Sequence, residues 1–161
     1  MKSLKIDLGD LIHPMQDQSR DINEYYLDTQ TGEVIWMDRF LFDQIEAGKE
    51  PDMELVPGWQ QKQLEAMRAI LEDTEERYQR VPEVWSDEAY EIMVNFIRTV
   101  RNHRIADALW NAIEGRKPFR RFKDTLHRYP ELLDAWYRFE EEAYKEIAKE
   151  WLDSLGIEVR S

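Results

Sequence analysis

The densest group of chemically competent side chains in this sequence is a run of cations interrupted by two phenylalanines. Five Lys/Arg lie between Gly115 and Asp124: Arg116, Lys117, Arg120, Arg121 and Lys123. Guanidinium and ammonium groups bind phosphate or carboxylate, and arginine does so through two parallel hydrogen bonds. From Arg98 to Lys123 eight cations stand against two acids, a net charge of +6 in a chain whose net charge is −12. Such segregation indicates either an anionic partner or an internal contact with acids.

Helical spacing allows two interpretations of this segment. On a helix, four cationic side chains form one exposed stripe at i, i+4, i+7 and i+11: Arg116, Arg120, Lys123 and His127. In the first interpretation they form an anion site, to which a helix N-terminus near Pro118 adds its dipole and the aromatic rings add stacking for bases. In the second, Phe119 and Phe122 belong to the core and the cations pair with acids of the last helix. The acids available there are Glu140, Glu141, Glu142, Glu146 and Glu150.

A second group of cations, Arg98, Arg101 and Arg104, lies around a predicted helix C-terminus, where positive charge complements the helix dipole. These residues extend the cationic surface only if the fold brings the two turns together. With this second group included, the predicted binding surface consists of seven residues: Arg116, Lys117, Arg120, Arg121, Lys123, Arg101 and Arg104.

Other chemistry finds little support in the sequence. The chain has no cysteine, which excludes disulfides, thiol catalysis and cysteine-ligated metals. Asp124 and His127 supply only part of one half of a helical di-metal motif, so we expect no metal. Neither the Gly-x-Ser-x-Gly elbow nor a glycine-rich phosphate loop is present, and we expect no cofactor. No catalytic residue is predicted, and a non-enzymatic protein is favoured.

Composition indicates one soluble domain covering residues 1–161. Apolar residues make up 42% of the chain, enough for a core, and the aromatic share of 12% argues against disorder. No apolar run reaches the length of a membrane span, and the first residues do not resemble a signal peptide. We therefore expect an acidic cytoplasmic protein that does not associate with membranes.

The N-terminal half predicts a small sheet among helices. Aromatic and β-branched residues on both sides of Thr29–Gly32 predict a hairpin that is covered on both faces. Asp7 and Asp38 are predicted helix caps. The stripe from Trp59 to Tyr78 predicts one helix, with pairing of residues 78–81 to the hairpin as the alternative.

The C-terminal half predicts a series of helices and a closing strand. Ser86 is the predicted cap of the first helix, Gly115 ends the second, and Pro118 begins a short third helix. Pro130 is predicted to begin a long final helix, and residues 157–159 are a candidate closing strand. The predicted fold class is α+β, a mostly helical single domain of five or six helices with a small N-terminal hairpin.

Several segments of the chain together resemble a known family. They are Tyr25–Val34, the Gly-Arg-x-x-Phe-Arg-Arg-Phe-Lys-Asp motif at residues 115–124, and the segments at 130–139 and 151–158. In order and spacing they are similar to the uncharacterised bacterial protein family numbered 0158 (the UPF-0158 family). The resemblance implies a fold and a cytoplasmic bacterial origin, and it carries no activity or catalytic residue.

Three functions are compatible with these features of the sequence. The favoured one is a binding or adaptor protein that holds an acidic protein, or another copy of itself, on the Arg116–Lys123 segment. The alternative is nucleic-acid binding through the same stripe. A third, an enzyme acting on a phosphorylated small molecule with Arg120 and Arg121 as anion clamps, has no nucleophile or base to name.

Overall fold

The computed structural model describes residues 1–160, in which helices predominate over strands. In chain order the elements are β1 (Lys2–Lys5), α1 (Leu8–Gln16), β2 (Asn23–Asp28), β3 (Val34–Asp38), α2 (Arg39–Glu46), a 3-10 turn (Met53–Leu55), α3 (Gly58–Leu71), β4 (Tyr78–Arg80), α4 (Ser86–Ile97), α5 (His103–Ile113), α6 (Pro118–His127), α7 (Pro130–Ser154) and β5 (Ile157–Arg160). β3, β2 and β4 form an antiparallel sheet in that order, and β1 pairs with β5 in parallel. The predicted mostly helical α+β class is confirmed, with seven α-helices in the described part instead of five or six.

The described residues form two compact units. The hairpin unit comprises Met1–Glu83 and the chain from Ala148 onward, and it contains both sheets and α1 to α3. The helical unit comprises Val84–Ile147 and contains α4 to α6 and the larger part of α7. Each unit has eleven Lys/Arg, against 22 acids in the hairpin unit and 12 in the helical unit. Their formal net charges are therefore −11 and −1. The expectation of one domain over 1–161 stays a prediction.

Strand β2 of the hairpin is covered on both faces, as predicted, whereas β3 leaves Trp36 44% exposed on one of them. On one face Tyr26 and Ile35 pack on a buried cluster from β3, α2 and α3: Met37, Leu41, Phe42, Ile45, Leu64 and Met67. On the other face the Tyr25 ring contacts His13 of α1 edge-on, with centroids 6.3 Å apart. Gly32 closes the hairpin with a φ of +82°, a conformation that favours glycine.

The predicted helix from Trp59 to Tyr78 is too long, since α3 ends at Leu71. The Asp73 carboxylate accepts hydrogen bonds from the amides of Glu75 (3.1 Å) and Tyr78 (2.9 Å), and this local turn competes with helix continuation. Residues 78–80 instead pair antiparallel with β2, which confirms the alternative.

Both chain ends contribute to the two-stranded sheet. The predicted closing strand is β5, and its partner β1 was not predicted. β1 has one buried residue, Leu4, in four, which gives too weak an alternation to be recognised without its partner.

Two of the three residues predicted to cap a helix N-terminus, Asp7 and Asp38, do so. The Asp7 carboxylate accepts a hydrogen bond from the Gly9 amide (2.8 Å), and that of Asp38 accepts one from the Leu41 amide (3.0 Å). The prediction for Ser86 is wrong by one residue, because Ser86 is the first residue of α4 and the preceding Trp85 makes no side-chain cap. No helix in residues 1–160 has the length and apolar character needed to cross a bilayer.

The helical unit is built around an aromatic core. The Phe96 ring of α4 lies edge-on to Phe122 of α6 (6.3 Å between centroids) and to Trp136 of α7 (5.3 Å). Phe122 and Trp136 approach to 4.8 Å, and both side chains are buried. Phe119 departs from its predicted place in the core, since 36% of it is exposed. It precedes Phe122 by about one helical turn and is the second residue of α6.

Candidate functional site

The cationic segment folds as a tight turn followed by a helix. α5 ends at Ile113, and Gly115 takes a φ of +86° that reverses the chain, as its predicted role at the helix end requires. Lys117 also has positive φ, +52°, which is unusual for a residue with a side chain. Pro118 is the first residue of α6, where its missing N–H costs no hydrogen bond. Arg116 therefore lies in the turn, and the helical stripe begins only with Arg120, contrary to the predicted spacing.

Arg121 holds this turn in place. Its guanidinium donates hydrogen bonds to the backbone carbonyls of Glu114 (2.7 Å) and Asn111 (3.1 Å), which lie at the end of α5. These carbonyls have no partner within their helix, and a cation there also complements the helix dipole. We therefore assign Arg121, one of the predicted binding residues, to positioning the turn.

The other cations of the segment project into solvent. Arg116, Lys117, Arg120 and Lys123 are all exposed. Among residues 1–160 none of them forms an ion pair with a carboxylate within 4.0 Å. From Glu114 to Arg128 six cations stand against two acids, a local net charge of +4. The segment therefore presents uncompensated positive charge.

The acids of α7 that were available for internal pairing are used differently. Glu141 and Glu142 both contact the Lys145 ammonium, at 3.3 and 3.6 Å. Burial raises the pKa of the Glu140 carboxyl above its usual range, and the charge of Lys123 offsets this only in part. No described acid of α7 forms an ion pair with an arginine of the α5–α6 turn.

Arg101 and Arg104 lie at the opposite end of α5 from the α5–α6 turn. Asn102 caps α5 there, and its side-chain oxygen accepts hydrogen bonds from the amides of Arg104 (3.0 Å) and Ile105 (3.2 Å). The eleven residues of α5 span about 16 Å. The two turns are therefore not brought together, and these exposed arginines form a separate cationic group.

Two aromatic side chains of the helical unit add exposed apolar surface. Phe119, 36% exposed, lies within the cationic segment, and Tyr137, 50% exposed, lies on α7 next to the exposed Arg138. Tyr137 lies off the apolar stripe of α7, as the sequence indicates. Exposed aromatics beside arginines are the residue types that most often anchor interfaces.

The hairpin unit contains a buried ionic cluster that sequence reasoning missed. The Glu24 carboxylate contacts Arg20 (2.9 Å), Arg80 (2.9 Å) and Arg39 (3.7 Å), and only 4% of Glu24 is exposed. Burial raises the pKa of Glu24, but hydrogen bonds from Arg80, the Tyr25 amide and Arg20 outweigh it and lower the pKa below its usual value. The only sequence signal was the i, i+4 spacing of Arg20 and Glu24, which also occurs on ordinary exposed surfaces.

Arg20 connects this cluster to the backbone of the same unit. Its terminal nitrogens donate hydrogen bonds to the carbonyls of Pro14 (3.1 Å), Pro82 (3.4 Å) and Val81 (2.5 Å) and to the Glu24 carboxylate (2.9 Å), while its buried Nε has no hydrogen-bond partner among the described residues. Because the terminal nitrogens of Arg20 and the Glu24 carboxylate bond to groups of their own chain, the cluster serves structure, and we assign no ligand to it. No group of three or more His, Asp or Glu placed to hold a metal ion occurs in residues 1–160.

Comparison with known proteins identifies the family. Residues 1–160 match the family described as "Uncharacterised protein family (UPF0158)". The chain is 30% identical over 158 residues to the UPF0158 protein PA5073 of Pseudomonas aeruginosa, covering 98% of this chain and 88% of that protein. No solved structure matches the chain. The match spans nearly every described residue, including the hairpin and the α5–α6 turn that carry the sequence resemblance, and the chain belongs to the UPF0158 family.

Proposed function

We propose that this protein is a non-enzymatic binding or adaptor protein that holds an acidic protein partner on its α5–α6 turn. The binding surface consists of Arg116, Lys117, Arg120 and Lys123, with Phe119 as the apolar contact. Arg121 positions these side chains indirectly, because its hydrogen bonds fix the turn to the end of α5.

The observation that supports the proposal is that these cations form no ion pair with the chain's own described acids, although the charge of Lys123 acts on the pKa of the Glu140 carboxyl. The chain has 34 acids, so pairing within the chain is readily available. The exposed cations of the turn nevertheless form no ion pair among the residues described. Unpaired charges on one side of a turn steer an oppositely charged partner and fix its orientation.

An acidic protein suits the molecule better than a nucleic acid because of the remaining charge. The chain has a net charge of −12, which repels a polyanion that extends beyond the local surface. A folded acidic partner needs to engage only the turn itself. Phe119 adds an apolar contact of the kind found at interface anchors.

A nucleic acid is the second candidate, and the connection between α5 and α6 favours it. Only residues 114–117, including Gly115, separate the two helices, and the second helix carries the exposed cations Arg120 and Lys123. Helix-turn-helix proteins use a connection of similar length and place the second helix in the major groove.

Salt-dependent binding separates the two candidates. We expect a labelled glutamate-rich peptide to bind at low ionic strength and labelled duplex DNA to bind much more weakly. Combined Arg116→Ala, Lys117→Ala and Arg120→Ala substitutions should reduce peptide binding about tenfold or more, because each removes an unpaired cation. Urea unfolding should change little, because these side chains make no contact that folding requires.

A matched triple variant controls for net charge. Lys5, Lys49 and Lys62 are exposed cations of the hairpin unit, and replacing them with alanine changes the net charge by the same amount. This control should bind like the unchanged protein. If both triple variants lost the same amount of peptide binding, the effect would be due to net charge, and a defined binding surface would be contradicted. Tighter binding of duplex DNA, with a slope of about 0.9 log unit per phosphate against log salt, would instead support the second candidate.

A further inference from the structure

The three-stranded sheet of the hairpin unit has an open edge at β3. The amide of Asp28 in β2 donates to the carbonyl of Glu33 (2.8 Å) towards β3, whereas the carbonyl of Tyr25 accepts from Val81 (2.9 Å) on the β4 side. Hydrogen-bonding direction alternates along a strand, so every second residue of β2 faces β3. The same alternation continues into β3, which has β2 on one side and no strand on the other.

The alternation turns the peptide groups of Val34 and Trp36 away from β2. These residues stand opposite Leu27 and Tyr25, the residues of β2 that face β4. Within residues 1–160, the N–H and C=O groups of Val34 and Trp36 make no hydrogen bond to any group beyond the sheet. The edge therefore offers donors and acceptors at the spacing that an added strand requires.

β3 also lacks the features that normally protect an edge. Its sequence, Val-Ile-Trp-Met-Asp, has no lysine or proline, and its register with β2 runs without a bulge. The other edge strand, β4, has only three residues, and its Arg80 is engaged by Glu24 and Glu83. Of the two edges of this sheet, β3 is the one open to pairing.

The exposed Trp36 ring is held in one orientation beside this edge. Its indole N–H donates to the Asn23 side-chain oxygen (3.0 Å), and the Asn23 amide group donates to the Asp17 carboxylate (3.0 Å). The same carboxylate accepts a hydrogen bond from the Tyr25 hydroxyl (2.7 Å). Trp36 is 44% exposed although it is anchored through this chain of contacts. An aromatic ring fixed before binding costs little entropy when a partner covers it.

Charge decides which strand fits this edge. The hairpin unit carries a net charge of −11, so two copies meeting at β3 would bring two strongly acidic bodies together. A segment rich in lysine or arginine is attracted by the same field, and its cations can lie over the face of Trp36. The edge thus favours a basic partner and disfavours a second copy of this chain.

We propose that the outer edge of β3 binds an extended basic peptide segment as an added strand, with Val34 and Trp36 supplying the backbone hydrogen bonds and the Trp36 ring contacting a cationic side chain. This surface is distinct in residues and in charge from the α5–α6 turn. The protein would then have one site for acidic and one for basic partners.

A labelled synthetic peptide of about eight residues, in which lysine alternates with valine, tests the proposal. We expect saturable binding in fluorescence anisotropy and slower hydrogen exchange at the Val34 and Trp36 amides by NMR. A peptide of the same composition with a central proline should bind at least about tenfold more weakly, because it cannot form a continuous ladder.

Two substitutions examine the edge from the protein side. Val34→Pro removes an N–H that points away from β2 and should weaken binding about tenfold, while the β2–β3 register survives. Trp36→Ala should weaken binding about fivefold. Trp59→Ala is the matched control, because Trp59 is another exposed tryptophan of the hairpin unit, 66% exposed and outside the sheet. It should bind the peptide like the unchanged protein.

Three results would overturn the proposal. One is the absence of saturable binding. The second is a lack of specificity: both peptides bind equally, or Val34→Pro has no effect in protein whose other amide signals are unchanged. Either finding would mean that binding is an unspecific attraction to the acidic surface. The third is concentration-dependent dimerisation that Val34→Pro abolishes, because the occupant of the edge would then be a second copy.

Discussion

At the scale of single residues, the buried Glu24 carboxylate lies at the centre of a cluster of arginines in the hairpin unit. It contacts Arg20 and Arg80 at 2.9 Å each, and its pKa lies below the usual glutamate value. A carboxyl group with a lowered pKa in the folded state contributes stability above its ordinary pKa. That contribution is lost as the pH falls through the pKa of the folded state.

Replacing Glu24 with glutamine should lower the free energy of unfolding by about 3–5 kcal/mol near neutral pH. The substitution keeps the shape of the side chain but leaves the Arg20 guanidinium, itself 4% exposed, without its countercharge. Urea unfolding as a function of pH measures the effect. The difference from the unchanged protein should shrink as the pH falls from the ordinary glutamate pKa through the lowered pKa of the folded state, below which both side chains are neutral.

Glu83→Gln is the control for the Glu24 substitution. Glu83 contacts the same Arg80 at 2.9 Å but is more exposed, so its loss should cost less than about 1 kcal/mol. A loss at Glu83 as large as that at Glu24 would contradict the central place given to the buried carboxylate.

At the scale of elements, local signals predicted several helix starts and turns correctly. Asp7 and Asp38 cap helices through their own carboxylates, and Gly32 and Gly115 take the positive φ that their turns require. The sequence also predicted the hairpin and the short helix that begins at Pro118.

Apart from the Ser86 cap, which is wrong by one residue, most errors occurred where contacts outside the local segment affect the outcome. The pairing of residues 78–80 with β2 competes with extension of α3, and β1 becomes a strand only beside β5, at the other end of the chain. The exposure of Phe119 and the capping role of Arg121 likewise depend on how α5 and α6 end. The type of charge at the site was predictable from sequence, but its lack of internal partners was not.

The hairpin turn gives a prediction with a matched control. A Cβ on Gly32 would lie 2.6 Å from the Lys5 carbonyl oxygen, whereas one on Gly48, which has the same φ of +82°, would meet no atom within 4 Å. Gly48→Ala should cost about 1–2 kcal/mol, from backbone conformation alone. Gly32→Ala should cost about 2–5 kcal/mol, since β1 must also shift.

Thermal and urea unfolding of the two glycine variants measure this difference. Equal losses would show that the contact between the hairpin turn and Lys5 adds nothing to the backbone term. A larger loss for Gly32→Ala than for Gly48→Ala, together with faster amide exchange in β1, would support the packing described for the hairpin unit.

At the scale of the whole molecule, charge is distributed unevenly between the two units. The hairpin unit carries −11 and the helical unit −1, although each has eleven cations. Excess like charge destabilises a compact state through self-repulsion, and salt screens that repulsion over a Debye length of about 8 Å at physiological ionic strength.

Raising the salt concentration from about 0.01 M to about 0.15 M should therefore raise the melting temperature of the unchanged protein. The Lys5, Lys49 and Lys62 triple alanine variant should show a larger rise, since it makes the acidic unit more negative. A fall in melting temperature with salt would mean that attractive ion pairs outweigh the repulsion. Differential scanning calorimetry at fixed pH provides the measurement.

The α5–α6 turn contains a strained backbone position at Lys117, which is also one of its exposed cations. A side chain at φ +52° is strained by roughly 1–2 kcal/mol, and glycine would relieve that strain. Lysine instead places an unpaired ammonium group at the start of α6. A Lys117→Gly variant made for thermal stability would therefore also lose one cation of the surface proposed above to hold an acidic partner.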